Sequence, residues 1–518
     1  MSLDAIGLSL FASRLNAVCE EMGTVLRHAA VSSNIKDRLD FSCALFDRDG
    51  HICAQAAHIP VHLGSMAHAM RDVVGRIAWQ PGDVVVFNDP RCGGTHLPDV
   101  TVVMPVFVKD DLAGFAASRA HHAHIGEPEG SMPLARRLEE EGEVFPPSLL
   151  RRDGQWQEAI AARIRLLEGA RSGDGDLPAD WLAQLAACER GVRRLGILLQ
   201  GMGKEGFEAG LQALNAYGRR LVSGTLEEWP EGEWRAQDVM DDDGWGNERI
   251  PLGLRLIHRS GQIHCCFEAP PAVDGNINCP LSVTAAAAFY AVRCLLPPQT
   301  PSCHGVFSCV RVSAPEGSLL NAPAGVAVGA GNVETSQRVV DLMQRALAAM
   351  LPERVPALSQ GTMNNVVLSG SRAGHAWHYY ETLGGGHGAG PGFDGLSARQ
   401  VHMTNTLNTP VEVLETLYPV RVESYSVRRG SGGKGRWHGG DGLVRSWRFL
   451  APARVTLLTE RRRSVPAGLA GGFPGQPGVN LLNGEELPAK VNLDVAAGDL
   501  LTIETPGGGG YASPEVSE

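Results

Sequence analysis

The sequence lacks an excess of basic charge, with 46 Lys and Arg against 57 Asp and Glu and a net charge of −11. That balance argues against a nucleic-acid footprint, and clusters such as Arg461, Arg462 and Arg463 are too short to restore one. There is no C-x-x-C pair, and the 11 cysteines are an odd, scattered set in which only Cys265 and Cys266 are adjacent. Neither a zinc ribbon nor a disulfide framework is signalled, so the cysteines read as small buried hydrophobes. No apolar run reaches the ~20 residues that cross a bilayer. The longest, Leu281 to Leu296, carries Ser282, Thr284 and Arg293 and reads as a buried helix. Asp4 stands where a secretory signal would place Lys or Arg, so a cytoplasmic protein with no membrane association is expected. The glycines follow no G-X-Y period, which excludes collagen.

What the sequence has in plenty is glycine, 63 of 518 residues, or roughly 12% against a usual share of about 7%. Glycine-rich loops are therefore expected. With 43% hydrophobic and 20% charged residues the chain can bury a large core. At roughly 100 to 200 residues per domain its length predicts two to four units.

Leu8, Phe11, Leu15, Val18, Met22, Val25 and Ala29 recur at steps of three and four, which predicts an amphipathic N-terminal helix. From Asp40 to about Val108 the runs FSCALFD, DVVVFND and DVTVVMPVFV alternate with turns and read as strands. Residues 130–225 read as helical, including the charged run Arg136 to Glu143 and the stretch Trp181 to Leu198, with a break at Asp174-Gly175-Asp176. Residues 226–325 read as mixed strands and one helix, and Glu334 to Met350 as another helix stopped before Pro352. Beyond about residue 360, short strands separate glycine clusters. The expectation is an α+β fold in three regions: 1–225, 226–358 and 359–518.

Nine of the 17 histidines fall within the first 130 residues. The densest cluster is Gly93-Gly94-Thr95-His96-Leu97-Pro98-Asp99, followed by His121-His122-Ala123-His124. A His-x-x-Asp pair around a proline-fixed turn can aim an imidazole and a carboxylate at one point. A histidine from the end of the next strand can then complete a three-ligand site suited to Mn, Zn or Fe. A divalent ion there would make hydroxide available near neutral pH. The same spacing also fits histidines that cap turns and bond backbone carbonyls. Asp40, His58 and His62 are further candidates for ligating or orienting roles.

Nucleotide motifs fail on inspection. In Gly430 to Gly435, Arg428 stands where the first P-loop glycine belongs and Gly435 replaces the Ser or Thr that holds magnesium. Gly384 to Ala389 fits G-x-G-x-x-A, but Pro391, Gly392 and Asp394 follow where a helix must start. Tight turns, or close backbone approach to a ligand, are the better reading.

The stretches SSNIKDRLDFSCALFD (32–47), HIPVHLGSM (58–66), GDVVVFNDPRCGGTHLPDVTVVMPVF (82–107) and AHHAHIGEPEGSMP (120–133) resemble the N-terminal signature of the hydantoinase B/oxoprolinase family. YYETLGGGHGAGPGFDG (379–395), HMTNTLNTPVEVLET (402–416), SGGKGRWHGGDGLVR (431–445) and TPGGGGY (505–511) are similar to its C-terminal signature. The agreement runs through nearly the whole chain in the family's order.

The resemblance implies the metal-bearing subunit of an ATP-dependent amidohydrolase acting on a cyclic amide such as 5-oxoproline, a hydantoin or a lactam. The ATP is used by a hydantoinase A-type ATPase partner, giving a hetero-oligomer. In some branches the implied activity is instead ATP-dependent carboxylation of a ketone, and a non-catalytic scaffold is a third reading. By motif match the metal set falls on His96, Asp99 and His121. His122 and His124 become candidates for proton transfer or ligand support, and Asp40 for a ligand or base. The chain departs from the family pattern at His124 and Glu127, at Phe267-Glu268-Ala269-Pro270 and at Gly305 to Cys309.

Overall fold

The computed structural model describes residues 4–56, 59–126, 132–167, 177–372 and 374–514. His58, Glu127 and the Asp174-Gly175-Asp176 turn lie outside the described residues. The fold is α+β. Strands β1 (Phe41–Asp47), β2 (Ile52–Gln55), β3 (Val84–Phe87), β4 (Asp99–Val108), β5 (Asp111–His121), β6 (Ser148–Arg152) and β7 (Gln155–Trp156) form a seven-stranded sheet in the order β2-β1-β5-β4-β3-β6-β7.

Helices α1 (Ala5–Ala29), α2 (Ser33–Lys36), α3 (Pro60–Val73), α4 (Glu158–Leu167), α5 (Ala179–Met202) and α6 (Lys204–Glu227) complete the N-terminal region. The Asp4 carboxylate accepts a hydrogen bond from the Gly7 amide at 2.7 Å and so caps α1, whose Phe11, Leu15, Val18 and Met22 are buried as the heptad-like spacing requires. Ala29, predicted on the same stripe, is exposed.

Period-two alternation divides the sheet between two helical layers. Cys43 and Leu45 of β1 join the core beneath α1 and α5, while Ala44 and Phe46 join Met66 and Met70 of α3 on the opposite face.

The charged run Arg136 to Glu143 is not helical beyond one short 3-10 turn, Leu138–Glu140. The Glu141 carboxylate there is buried and accepts from the Val328 and Gly329 amides, so it pins a loop where a helix was expected. After Pro146-Pro147 the chain pairs with β3 as β6, and helix resumes at Glu158.

Four more strands, β8 (Gly232–Asp242), β9 (Glu248–Arg259), β10 (Gln262–Glu268) and β11 (Val310–Ser313), make a second sheet. With it pack α7 (Leu281–Arg293), α8 (His304–Phe307) and α9 (Ser336–Met350). The helix expected from Glu334 begins at Ser336, after a π-helical turn over Gly331–Thr335. Leu281 to Arg293 is the buried helix that its composition predicted.

The C-terminal part contains β12 (Asn365–Arg372), β13 (His375–Glu381), α10 (Val411–Leu417), β14 (Val420–Arg428), β15 (Gly442–Phe449), β16 (Ala453–Leu458), β17 (Val479–Leu482), β18 (Glu485–Leu487), β19 (Lys490–Val495) and β20 (Leu500–Glu504). The strands form two antiparallel sheets, β13-β12-β16-β19 and β14-β15-β20-β17-β18, which share a core around Trp447, Tyr379 and Leu457. Among the described residues no helix is long and apolar enough to cross a membrane.

Candidate metal centre

Asp99 opens β4 and His121 closes β5, and the antiparallel ladder pairs them directly. Alternation sets both on the α3 face of the sheet, in step with Val103, Phe115 and Ala117. The loop before Asp99 delivers His96. It turns through Gly93 at φ 80°, and Asn88 donates to the Leu97 carbonyl at 2.8 Å to hold it. The buried Arg119 guanidinium joins this loop to α3, donating to Gly93 O at 3.2 Å and to Ser65 Oγ at 2.8 Å.

His96, Asp99 and His121 are all buried, and they offer ligand atoms that lie within 4.8 Å of one another. His96 Nε2 is 3.0 Å from Asp99 Oδ1 but does not meet it at a hydrogen-bonding angle. His121 Nδ1 lies 3.4 Å from the same oxygen, and His121 Nε2 has no hydrogen-bond partner. The other carboxylate oxygen, Oδ2, is held by Thr95 Oγ1 at 2.6 Å, His62 Nε2 at 3.2 Å and Asn332 Nδ2 at 3.3 Å. His62 is itself oriented by Ser42 Oγ, 2.9 Å from Nδ1. His96 Nδ1 is 3.3 Å from the Gly329 carbonyl.

Burial opposes ionisation of Asp99, but the His96 and His62 rings beside it prevail and hold the carboxyl well below its ordinary range. Burial also pushes His96 down; the Asp99 charge and contact outweigh it and leave His96 raised. For His121 burial prevails, so its imidazole titrates below the usual value and is neutral, the form that binds a cation. Two buried imidazole nitrogens without hydrogen bonds around one carboxylate are unfavourable as they stand. A divalent cation would satisfy them, and the donor set of two imidazoles and a carboxylate suits Mn, Zn or Fe.

Of the other residues expected here, Asp40 and His62 line the same small pocket, with Ile59, Val61, Tyr380 and Met403 among its walls. Asp40 sits beside Arg38, 3.9 Å away, and its carbonyl accepts the His121 amide. The structure does not bring His122 to this cluster. As the next residue along it faces the opposite layer, where Nε2 lies 2.7 Å from Gln184 Oε1 and the ring packs on Trp181 of α5. His124 is exposed, its ring 5.8 Å from that of His378.

Four neighbours of the cluster escaped the sequence reading. Thr95 sits inside the glycine-histidine motif and was there to be noticed. Asn332, Tyr380 and Arg38 come from remote segments: Tyr380 stacks on His121 at 4.9 Å, and Arg38 lies over the Tyr380 ring at 4.5 Å. A second acidic group, Asp47, Asp49 and His51, occupies the β1–β2 turn. There Asp47 Oδ1 already accepts the Asp49 and His51 amides.

The sequence signature of the hydantoinase B/oxoprolinase family matches residues 4–514. The chain belongs to this family. It is 37% identical over 530 residues to a 5-oxoprolinase of Dictyostelium discoideum, a match that covers 99% of this chain and 41% of that protein. The chain thus spans about two fifths of the length of that relative. An uncharacterized family member from Methanocaldococcus jannaschii is 36% identical over 529 residues, 91% of its length. Among solved structures, an ATP-dependent caprolactamase from Pseudomonas jessenii superposes with a TM-score of 0.90 at 26% identity, covering 99% of this chain and 92% of that one. An acetone carboxylase shares the fold, with a TM-score of 0.86 at 16% identity over 98% of this chain and 75% of its own.

Proposed function

We propose that this chain is the metal-bearing hydrolytic component of an ATP-dependent amidohydrolase that opens a cyclic amide: 5-oxoproline, a hydantoin or a lactam. The observation that carries the reading is the buried convergence of His96, Asp99 and His121, with imidazole nitrogens that lack hydrogen bonds. These three residues would hold the ion. When bound, a divalent cation supplies Lewis acidity and lowers the pKa of water toward neutrality.

The chain's own groups do the rest. Asp99 gives one oxygen to the cluster while Thr95, His62 and Asn332 fix the other, so the carboxylate is pre-aimed. Gly329 O orients His96. Val61, Val333, Met363 and Met403 give the pocket apolar walls, and a low-dielectric wall strengthens charge interactions beside it. Asp40, on the pocket wall, is the group placed to take a proton from the attacking water. The planar, resonance-stabilised amide is a poor electrophile. Its activation is assigned to a hydantoinase A-type ATPase partner that transfers the ATP phosphoryl group to the ring carbonyl oxygen; this chain guides water to the activated carbon, the ring C–N bond breaks as the nitrogen takes a proton, and hydrolysis of the resulting acyl phosphate releases inorganic phosphate and the ring-opened acid.

The test is reconstitution of the chain with its ATPase partner. The reading predicts ring opening that requires both chains and ATP. ATP use that depends on bicarbonate and a ketone, with no ring opening, would assign the complex to carboxylation instead.

A further inference from the structure

The two imidazoles of the cluster are held differently. His96 Nδ1 lies 3.3 Å from the Gly329 carbonyl, the kind of outer contact that ordinarily fixes the plane of a metal-binding imidazole. His121 has no counterpart. Its Nε2 is without a hydrogen-bond partner, and the polar neighbour of its Nδ1, Asp99 Oδ1 at 3.4 Å, belongs to the ligand set itself. Rotation of a histidine ring about its bond to Cβ has broad minima, so little within the residue decides where its nitrogens point.

What meets the ring instead is an aromatic face. Tyr380 lines the metal pocket and stacks on His121, with ring centres 4.9 Å apart and planes 18° from parallel. Strand alternation splits the Tyr379-Tyr380 pair: Tyr379 enters the core between the C-terminal sheets, and Tyr380 joins the core built on the N-terminal sheet. Tyr380 is itself held at several points. Its backbone pairs with Val367 of β12, its hydroxyl donates to Asn365 Oδ1 at 2.8 Å, and its carbonyl accepts from Arg38 Nη1 at 2.9 Å. Asn365 is fixed in turn by donating to Glu334 Oε1 and to the Leu458 carbonyl, and the Arg38 guanidinium lies 4.5 Å over the Tyr380 ring. A ring anchored at its edge, its face and its backbone has little freedom, and an imidazole stacked on it is confined to the same plane.

Resting on the metal-centre reading, we infer that Tyr380 is a positioning residue of that centre: its ring does for His121 what the Gly329 carbonyl does for His96, fixing the plane in which the imidazole presents its nitrogen to the ion. The stacked face carries this role, and the hydroxyl serves only to hold the ring.

The experiment titrates Co(II) alone into the metal-free full-length chain, as wild type, Tyr380→Phe, Tyr380→Leu and Tyr380→Met. It reads the dissociation constant by chelator competition, the visible ligand-field spectrum and the thermal unfolding of each chain. Tyr380→Phe should keep the wild-type constant and spectrum. The two aliphatic variants should bind about 10- to 100-fold more weakly, the loss usual when the orienting partner of a ligand is removed, and their absorption bands should shift. Folded aliphatic variants with the wild-type constant and spectrum would overturn the inference while leaving the metal centre intact. So would a Tyr380→Phe chain that binds as weakly as they do, since the effect would then belong to the hydroxyl. A wild-type chain that binds no Co(II) would overturn the metal centre and this inference with it.

Discussion

Two adjacent histidines take opposite parts because a strand points successive side chains to opposite faces. His121 faces the cluster, and His122 ties the sheet to α5 through Gln184. Replacing His122 with Leu should therefore cost about 1–3 kcal/mol, since it leaves the buried Gln184 carbonyl oxygen unpaired. Urea unfolding would measure the loss, and metal content should not change. Loss of metal in that variant would return His122 to the site. The doublet could have been sorted from sequence alone by carrying the β5 alternation through it. Thr95 was equally accessible, being adjacent to His96. Asn332 and Tyr380 were not, because their contacts with Asp99 and His121 join residues more than 200 positions apart, and nothing local in either segment marks them.

Glu334 supports a second prediction at this scale. Its Oε1 accepts from the Met363 amide at 3.0 Å and from Asn365 Nδ2 at 2.7 Å, and its Oε2 has no partner. Burial, reinforced by the Glu460 charge, raises its pKa from 4.5 to about 8. A folded value above the unfolded one means that the folded state holds the proton more tightly. This stabilisation is complete below 4.5 and drains away as pH rises through about 8. Glu334→Gln keeps the acceptor and cannot ionise, so its stability relative to wild type should climb as pH rises across that window. A difference in unfolding free energy that is flat with pH would contradict the assignment.

Among the elements, the loop from Gly93 to Pro98 matters most. A Cβ on Gly94 would sit 2.3 Å from the Asn88 carbonyl oxygen, so this backbone must move to admit any side chain. Gly94→Ala should displace His96, weakening metal binding and destabilising the fold by about 1–3 kcal/mol. Metal titration beside thermal unfolding would check this, and unchanged values in both would refute it. Strands β1, β3 and β4 were legible because their runs are short, apolar and bounded by turns. The segment before β6 misled because its charge pattern imitates a solvated helix, whereas Glu141 is buried and bonded to amides from a segment 187 residues away. Local pattern carries no record of such a partner.

At the scale of the whole molecule the glycine excess has a structural cause. The loops around residues 384–395, 430–442 and 505–511 lie against one another, with Gly386 donating to Pro506, Gly440 to His387 and Gly508 to Gly440. The close backbone approach expected there is to other backbone. A Cβ on Gly508 would meet the His387 carbonyl oxygen at 2.1 Å. A second tie is a largely buried ionic group in which Arg338 of α9 meets Glu460 at 2.9 Å and Arg461 meets Asp238 of β8 at 2.9 Å, joining the middle region to the C-terminal sheets. Arg338→Met removes one cation from a group in which Glu460 keeps Lys490 and Asp238 keeps Arg461, and should cost about 1–3 kcal/mol. Denaturant unfolding would report it, and a loss under about 1 kcal/mol would show the group to be dispensable.

The candidate metal centre also joins regions, with His96, Asp99 and His121 from the N-terminal sheet and Asn332, Tyr380 and Thr404 from beyond it. The most direct test of the account is the metal content of the purified chain, measured for wild type, His96→Ala and Asp99→Ala. The account predicts a stoichiometric divalent ion in the wild type and its loss in both variants. Full metal retained by the folded His96→Ala chain would contradict it.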